Sequence, residues 1–336
     1  MNRLLFVASI VLALLFSGCS SKKYFEPKTT FSASSASNSF HGKIIDLSRD
    51  GGTLDNNHYI GKTGINAINL GKGYRFLNEN NSYALASNVN GNLKIINKAT
   101  HKVQRLVSLH IPVVSASIKN GLVAYILNNN TFGIYDMGAD KKIVESRSGA
   151  VFAIDTRAAS PMFIENIVVV PMLDGKLIIS SVNSNNAKVV YISSEPSFNN
   201  VIYLSRVGNT MVAATPKRLI TIGNSGKLEY KANISEVAIA NSNIYLFTKE
   251  GKILSLDSKL KVVATSKFKF AHYVAGTSFD GKVYALDQQG SLIVLNSSLN
   301  KFKIYDVGSV SKSAFISKTK LYKDGKVIEL SRLGYR

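Results

Sequence analysis

Gly61-Lys62-Thr63 has the residue types that end a phosphate-binding loop, in which backbone N–H groups and a lysine hold phosphate oxygens. That chemistry also needs a glycine five residues before Gly61. Position 56 is Asn, and no strand-to-helix junction surrounds the triplet, so it reads as a turn. Asp46-Leu47-Ser48-Arg49-Asp50-Gly51 alternates oxygen donors ahead of a glycine, as the first half of a calcium loop does. The bidentate acid such a loop requires would fall at Asn57, and Arg49 stands among the would-be ligands, so a turn between strands is the simpler account. The five histidines, His41, His58, His101, His110 and His272, form no His-x-His or His-Glu-x-x-His pair; a metal site would have to gather single ligands from distant segments. Gly276-Thr277-Ser278-Phe279-Asp280 lacks the second glycine of a nucleophile elbow, and Gly223-Asn224-Ser225-Gly226 is a turn sequence. The single cysteine, Cys19, excludes internal disulfides, zinc ribbons, dithiol redox centres and cysteine-ligated clusters. No catalytic constellation, metal or organic cofactor is expected.

The surroundings of Cys19 give it a different chemistry. Met1-Asn2-Arg3 is a short positive start, and residues 4–16 (LLFVASIVLALLF) are apolar apart from Ser9. Thirteen helical residues span about 20 Å, short of the roughly 30 Å of a bilayer core, so the stretch predicts a signal peptide and not a membrane span. Leu15-Phe16-Ser17-Gly18-Cys19 resembles the bacterial lipoprotein cleavage box, with Phe16 where that family has Leu. The resemblance implies removal of residues 1–18 and acylation of Cys19 by several chains, palmitate among them, which together anchor durably. An ordinary secretory signal with a chance cysteine is the alternative. Ser20, in place of the Asp that marks inner-membrane retention, implies the periplasmic side of the outer membrane in a diderm organism.

Residues 19–40 follow as the acylated cysteine and a tether: positions 20–40 hold seven serines and no helical or strand period. Such a chain reaches roughly 25 Å. Lys22, Lys23 and Lys28 are placed to touch anionic head groups, although a solvated linker accounts for them equally well. The whole chain of 336 residues carries 41 Lys and Arg against 21 Asp and Glu, a net charge of +20, with 45% apolar residues and no tryptophan. That apolar content fills a core. The cations, such as Lys141, Lys142, Lys217, Lys267, Lys269, Lys318, Lys320 and Lys323, are dispersed over turns and strand ends without an aromatic ladder. Nucleic acid is therefore not an expected partner. A positive field suits lipid head groups, lipopolysaccharide phosphates or an acidic protein face, and a lysine-rich background composition would produce it as well.

From residue 41 the chain repeats. Asn90-Gly91-Asn92-Leu93-Lys94-Ile95-Ile96, Asp174-Gly175-Lys176-Leu177-Ile178-Ile179, Glu250-Gly251-Lys252-Ile253-Leu254, Gln289-Gly290-Ser291-Leu292-Ile293-Val294 and Asp324-Gly325-Lys326-Val327-Ile328 are copies of one phrase, with degenerate copies at Asn130–Asp136 and Lys217–Ile222. Turn positions 91, 130, 175, 217, 251, 290 and 325 lie about 39 residues apart, a period of propellers and solenoids. Asn-Gly and Asp-Gly supply the positive φ of tight hairpin turns. Runs such as Ile167–Val170 are apolar at consecutive positions, so both strand faces are covered, as in radially stacked blades. The prediction is an all-β propeller over residues 41–336 with eight four-stranded blades, seven being the alternative. An eighth unit is placed at Gly52, and closure is assigned to Lys43–Leu47.

Gly281-Lys282-Val283-Tyr284-Ala285-Leu286-Asp287 followed by Gln289-Gly290-Ser291-Leu292 resembles the repeats of quinoprotein-type propellers. With the cleavage box and this length, the chain is similar to the BamB-like propeller lipoproteins of the outer-membrane β-barrel assembly machinery. It lacks the tryptophan that family repeats dock between blades. The resemblance implies a non-catalytic scaffold on the periplasmic side of the outer membrane, anchored through Cys19, whose partner is a periplasmic domain of a barrel-assembly protein. The other reading is an exported propeller enzyme or glycan-binding module working in the central channel. It requires acidic or histidine side chains from several blades to converge there.

Overall fold

Strand-forming runs punctuated by turn residues leave almost no helix in this chain. The computed structural model describes residues 23–151, 154–155, 157–182, 187–224, 226–310 and 313–336, and there the strands form eight antiparallel sheets, the blades of a propeller. Blades 1 to 7 run consecutively over residues 44–66, 75–108, 113–147, 162–191, 203–231, 234–267 and 273–306. Their first strands, among them Ile44–Ser48, Arg75–Glu79, Val113–Lys119 and Ile234–Ala240, are innermost and surround a central channel.

Blade 8 is assembled from both ends of the chain. Its inner strands are Ala314–Ser317, Lys320–Lys323 and Lys326–Glu329, and its outer strand is Ser37–Ser39, paired antiparallel as Ser37↔Ile328, Asn38↔Val327 and Ser39↔Lys326. Just before it, Phe31–Ser32 adds a fifth, parallel strand to the edge of blade 7 (Phe31↔Tyr305). The closing strand is thus Ser37–Ser39 and not the expected Lys43–Leu47. Ile44–Ser48 lines the channel in blade 1. Residues 31–39, assigned from sequence to the tether, belong to the propeller. Serine-rich strands at an outer edge need no apolar period, while Ala33 and Ala36 are small enough to bury in the join between blades 7 and 8.

One hydrogen bond recurs in every blade and explains the repeated phrase. The carbonyl at the turn before the third strand accepts the N–H of the residue that leaves the fourth strand. Leu109 donates to Gly91 (3.0 Å), Ser148 to Asn130 (3.0 Å), Ile192 to Gly175 (2.9 Å), Ala232 to Lys217 (3.2 Å), Phe268 to Gly251 (2.8 Å) and Val307 to Gly290 (2.9 Å). In blade 8 the donor is Phe40, to Gly325 (2.9 Å), and in blade 1 it is Leu70, to Asn57 (2.9 Å). Glycine suits the slot because φ is positive, +93° at Gly290, and because a Cβ there would lie 2.1 Å from the Gly308 carbonyl oxygen. Asn57 (φ 64°) and Asn130 (φ 65°) fill it with the residue that best tolerates that conformation after glycine. The first repeat therefore sits at Asn57, and Gly52, expected there, belongs to the second strand of blade 1.

Eight apolar clusters occupy the joins between successive blades. Leu85, Leu93, Val113 and Tyr125 pack blades 2 and 3, for example, and Tyr245, Phe247, Val283 and Ile293 pack blades 6 and 7. Tyr125, Tyr245 and Tyr284, all fully buried on second strands, supply the aromatic bulk that tryptophan gives elsewhere.

Candidate functional site

The parallel inner strands carry the turns between first and second strands to one face of the propeller, and the turns between second and third strands to the other. The channel consequently has two mouths of different sequence. Arg49 and Asp50 follow the inner strand of blade 1, and Asn78, Glu79, Asn80, Ser117 and Lys119 end those of blades 2 and 3. With Lys62, Ser160 and Tyr203 they line a polar mouth of about 450 Å³.

Apart from Lys119, its charged groups are engaged with one another or with hydroxyl groups. The Asp50 carboxylate accepts a hydrogen bond from Ser160 Oγ at 2.6 Å and has Lys62 Nζ at 3.4 Å. Glu79 is buried and accepts from Tyr59 Oη (3.0 Å), Lys62 N (2.8 Å) and Lys98 Nζ (2.6 Å). Burial and the adjoining Glu79 charge push the Tyr59 phenol far up, so that it stays a donor. Glu236, on the inner strand of blade 6, is 2.7 Å from Arg49 NH1 and 3.9 Å from Arg157 NH1. Arg157 in turn holds Asp155 by two hydrogen bonds of 3.1 Å. Burial raises the Asp155 carboxyl, but the Arg157 guanidinium outweighs it and holds the group below the usual carboxylate range. The Arg49 guanidinium also lies 4.9 Å from the Tyr203 ring centroid.

Arg157 and Asp155 come from the long connection between blades 3 and 4. Its described part enters the channel: Ser115 Oγ donates to the Ala159 carbonyl at 2.9 Å, and Asn200 brackets Asp155 by bonds to its N–H and carbonyl. Ion pairs tie this plug to Glu236 of blade 6 and, through it, to Arg49 of blade 1, while hydrogen bonds tie it to Ser115 of blade 3 and to Asn200 of the connection between blades 4 and 5.

The opposite mouth, about 530 Å³, has a mostly apolar exposed wall built from Ile45, Leu47, Tyr74, Val89, Val114 and Ile154. Val89 is 80% exposed and Ile45 59% exposed, unusual for aliphatic side chains. At its floor, Arg75 NH2 donates to the Val113 carbonyl at 2.6 Å and NH1 is 3.9 Å from Asp46, whose carboxyl is raised by burial against the pull of Arg75.

The residues singled out from sequence distribute as follows. Cys19 lies outside the described residues. Lys62 and Thr63 form the hairpin turn between Tyr59–Gly61 and Gly64–Asn66, and Asp46 to Gly51 form a strand, a turn and the start of the next strand. Ser278 lies on the inner strand of blade 7, its Oγ donating to the Lys282 carbonyl. The five histidines stand in separate segments, and among the described residues no group of three His, Cys, Asp or Glu side chains is arranged to hold a metal ion. Sequence reasoning missed Glu236, Arg157 and Asp155. A signal existed for the first: Glu236 is an acid inside the apolar run Ile234–Ala240. Acidic side chains from several blades do converge on the channel, each with a cationic or hydroxyl partner.

No protein-family model matches the chain. Two proteins named plasminogen-binding protein PgbB, from Helicobacter pylori strains J99 and 26695, are each 26% identical to it over 377 aligned positions. The alignments cover 98% of this chain and 70% and 69% of theirs. Among solved structures, BamB from Moraxella catarrhalis superposes with a TM-score of 0.69 at 14% identity, over 89% of this chain and 98% of that one. The C-terminal WD40 domain of Sif2 superposes at 0.65 and 11% identity, over 87% and 98% of the two chains. The computationally designed Ika8 protein does so at 0.59 and 14%, over 78% and 85%. The fold is a BamB-like eight-bladed β-propeller.

Proposed function

We propose that this chain is an exported, non-catalytic propeller that docks a protein partner at the apolar mouth of its channel while Cys19 anchors it to the outer membrane from the periplasmic side. The observation that carries the docking surface is the exposure of Val89 and Ile45 around an open apolar wall, opposite a mouth whose carboxylates are each paired internally. An apolar anchor from a partner gains most where such a concavity lets it shed water. Asp50, Glu79 and Glu236 are each committed to a cation or hydroxyl, so the reading assigns them to holding the plug and no catalytic step to the channel. By the BamB likeness, the partner is a periplasmic domain of the barrel-assembly core protein.

Co-purification of the tagged chain after mild crosslinking tests this. The barrel-assembly core protein should be recovered with the wild type and lost with Ile45→Asp/Val89→Asp; its absence from the wild-type sample contradicts the assignment. A second reading is favoured by the PgbB relatives, which align over nearly the whole chain: a plasminogen-binding surface. Direct titration with plasminogen separates the two. Micromolar or tighter binding that survives the double substitution supports this second surface, and no binding removes it.

A further inference from the structure

The docked N-terminal segment bears on how the molecule sits at a membrane. Phe25 packs edge-on against Phe268 (centroids 5.8 Å apart), which packs against Phe302 at 5.0 Å, and Lys23 Nζ lies 5.8 Å from the centre of the Phe270 ring. The chain is therefore fixed to the rim of blades 6 and 7 only four residues after Cys19, a reach of at most about 14 Å. The same rim leaves aromatic rings partly exposed. Phe302 is 50% exposed, Phe31 45% and Phe270 37%. Phe270 holds a left-handed backbone (φ 68°), a conformation costly for a bulky side chain. Cations lie over two of these rings: Lys269 Nζ is 5.0 Å from the centre of Phe270 and Lys303 Nζ is 3.9 Å from that of Phe31.

Aromatic rings at the surface with lysines beside them suit the boundary between head groups and acyl chains, where the ring enters and the ammonium meets phosphate. We propose that the blade 6–7 rim is a membrane-contact surface for anionic phospholipid, which turns the Cys19 anchor from a loose tether into an oriented mount. The proposal rests on the reading of Cys19 as acylated, and the rim adds the second, electrostatic attachment. With blade 7 at the bilayer, the ring stands edge-on and both channel mouths stay open to the periplasm.

The test uses the mature chain, residues 19–336, carrying Cys19→Ser, sedimented with vesicles of phosphatidylglycerol and phosphatidylcholine or of phosphatidylcholine alone. The chain should bind the mixed vesicles, release at high salt and ignore phosphatidylcholine. Lys23→Glu/Lys269→Glu should weaken binding by roughly twenty-five-fold, about five-fold per lysine. Phe270→Gly relieves the backbone and should keep or raise the melting temperature while lowering binding by roughly ten-fold. Lys141→Glu/Lys188→Glu, on the opposite blades 3 and 4, should bind as the parent does. Failure to bind anionic vesicles, equal binding to phosphatidylcholine, or equal loss in the opposite-rim variant overturns the rim assignment. An unmodified Cys19 in the mass of the protein isolated from its own membranes overturns the anchor, irrespective of the vesicle result.

Discussion

Glu236 on blade 6 stands 2.7 Å from Arg49 on blade 1, three blades away around the ring, so a single ion pair ties opposite walls of the channel together. Glu236 also accepts the N–H of Val237 at 2.9 Å and faces Arg157 of the plug. Replacing one member leaves charges facing each other without compensation, whereas replacing both by apolar residues removes the problem.

Glu236→Met and Arg49→Met should each lower the unfolding free energy, the former by about 2–4 kcal/mol, and Arg49→Met/Glu236→Met should lie closer to wild type than either single variant. Urea unfolding of the four proteins checks this; additive single effects would contradict the coupling.

The repeated turn glycines are not equivalent. At Gly290 an added Cβ meets the Gly308 carbonyl oxygen at 2.1 Å, while at Gly325 the nearest atom is 3.8 Å away, and both have positive φ. Gly290→Ala should cost at least about 3 kcal/mol, through strain and clash, and Gly325→Ala about 1 kcal/mol, through strain alone. Thermal melts of the two variants rank them, and the reverse order would contradict the packing described.

Acid stability follows from carboxyls held below their ordinary range. Asp155 and Asp174 are both held low: burial opposes this in each, and Arg157 or Lys176 with Ser148 outweighs it. The unfolded chain takes up protons at these carboxyls more readily than the folded one, so their contribution is complete above about pH 5 and is lost progressively as pH falls through the unfolded and then the folded-state values. Asp155→Asn should reduce stability at pH 7 and flatten the acid limb. Asp46 has the opposite sign: its carboxyl is raised, so its ionisation disfavours the fold, and Asp46→Asn should raise stability at neutral pH. Unfolding curves between pH 3 and 7 distinguish the two signs.

Closure depends on a short strand. Deleting residues up to Ser39 removes the partner of Lys326–Glu329 and withdraws Ala33 and Ala36 from the join between blades 7 and 8. The truncated chain should lose several degrees of melting temperature and aggregate through the opened edge of blade 8. Unchanged melting and a monomeric light-scattering mass would show that the ring closes without it.

The architecture was legible because its cause is local. The Gly91, Gly175, Gly251 and Gly290 turns repeat a backbone requirement that only glycine meets without strain, and the consecutive apolar runs announce strands covered on both faces. Asn57 and Asn130 satisfy the same requirement without the glycine signature, which displaced the first repeat to Gly52. Closure was hidden for a related reason: Ser37–Ser39 is recognisable by its pairing and not by its side chains. The channel chemistry was out of reach because Arg49, Arg157 and Glu236 are 187 residues apart at their extremes and become neighbours only when the ring closes. Val89 belongs to a turn, Asn88–Gly91, whose polar neighbours conceal an exposed apolar side chain.

The docking surface is tested most directly by a photo-crosslinking amino acid placed at Val89 in cells, with Lys188 on the outer strand of blade 4 as the control position. A covalent adduct should form between position 89 and the periplasmic part of the barrel-assembly core protein and be absent at position 188. No adduct at 89, or an equal adduct at 188, would contradict partner docking at the apolar mouth.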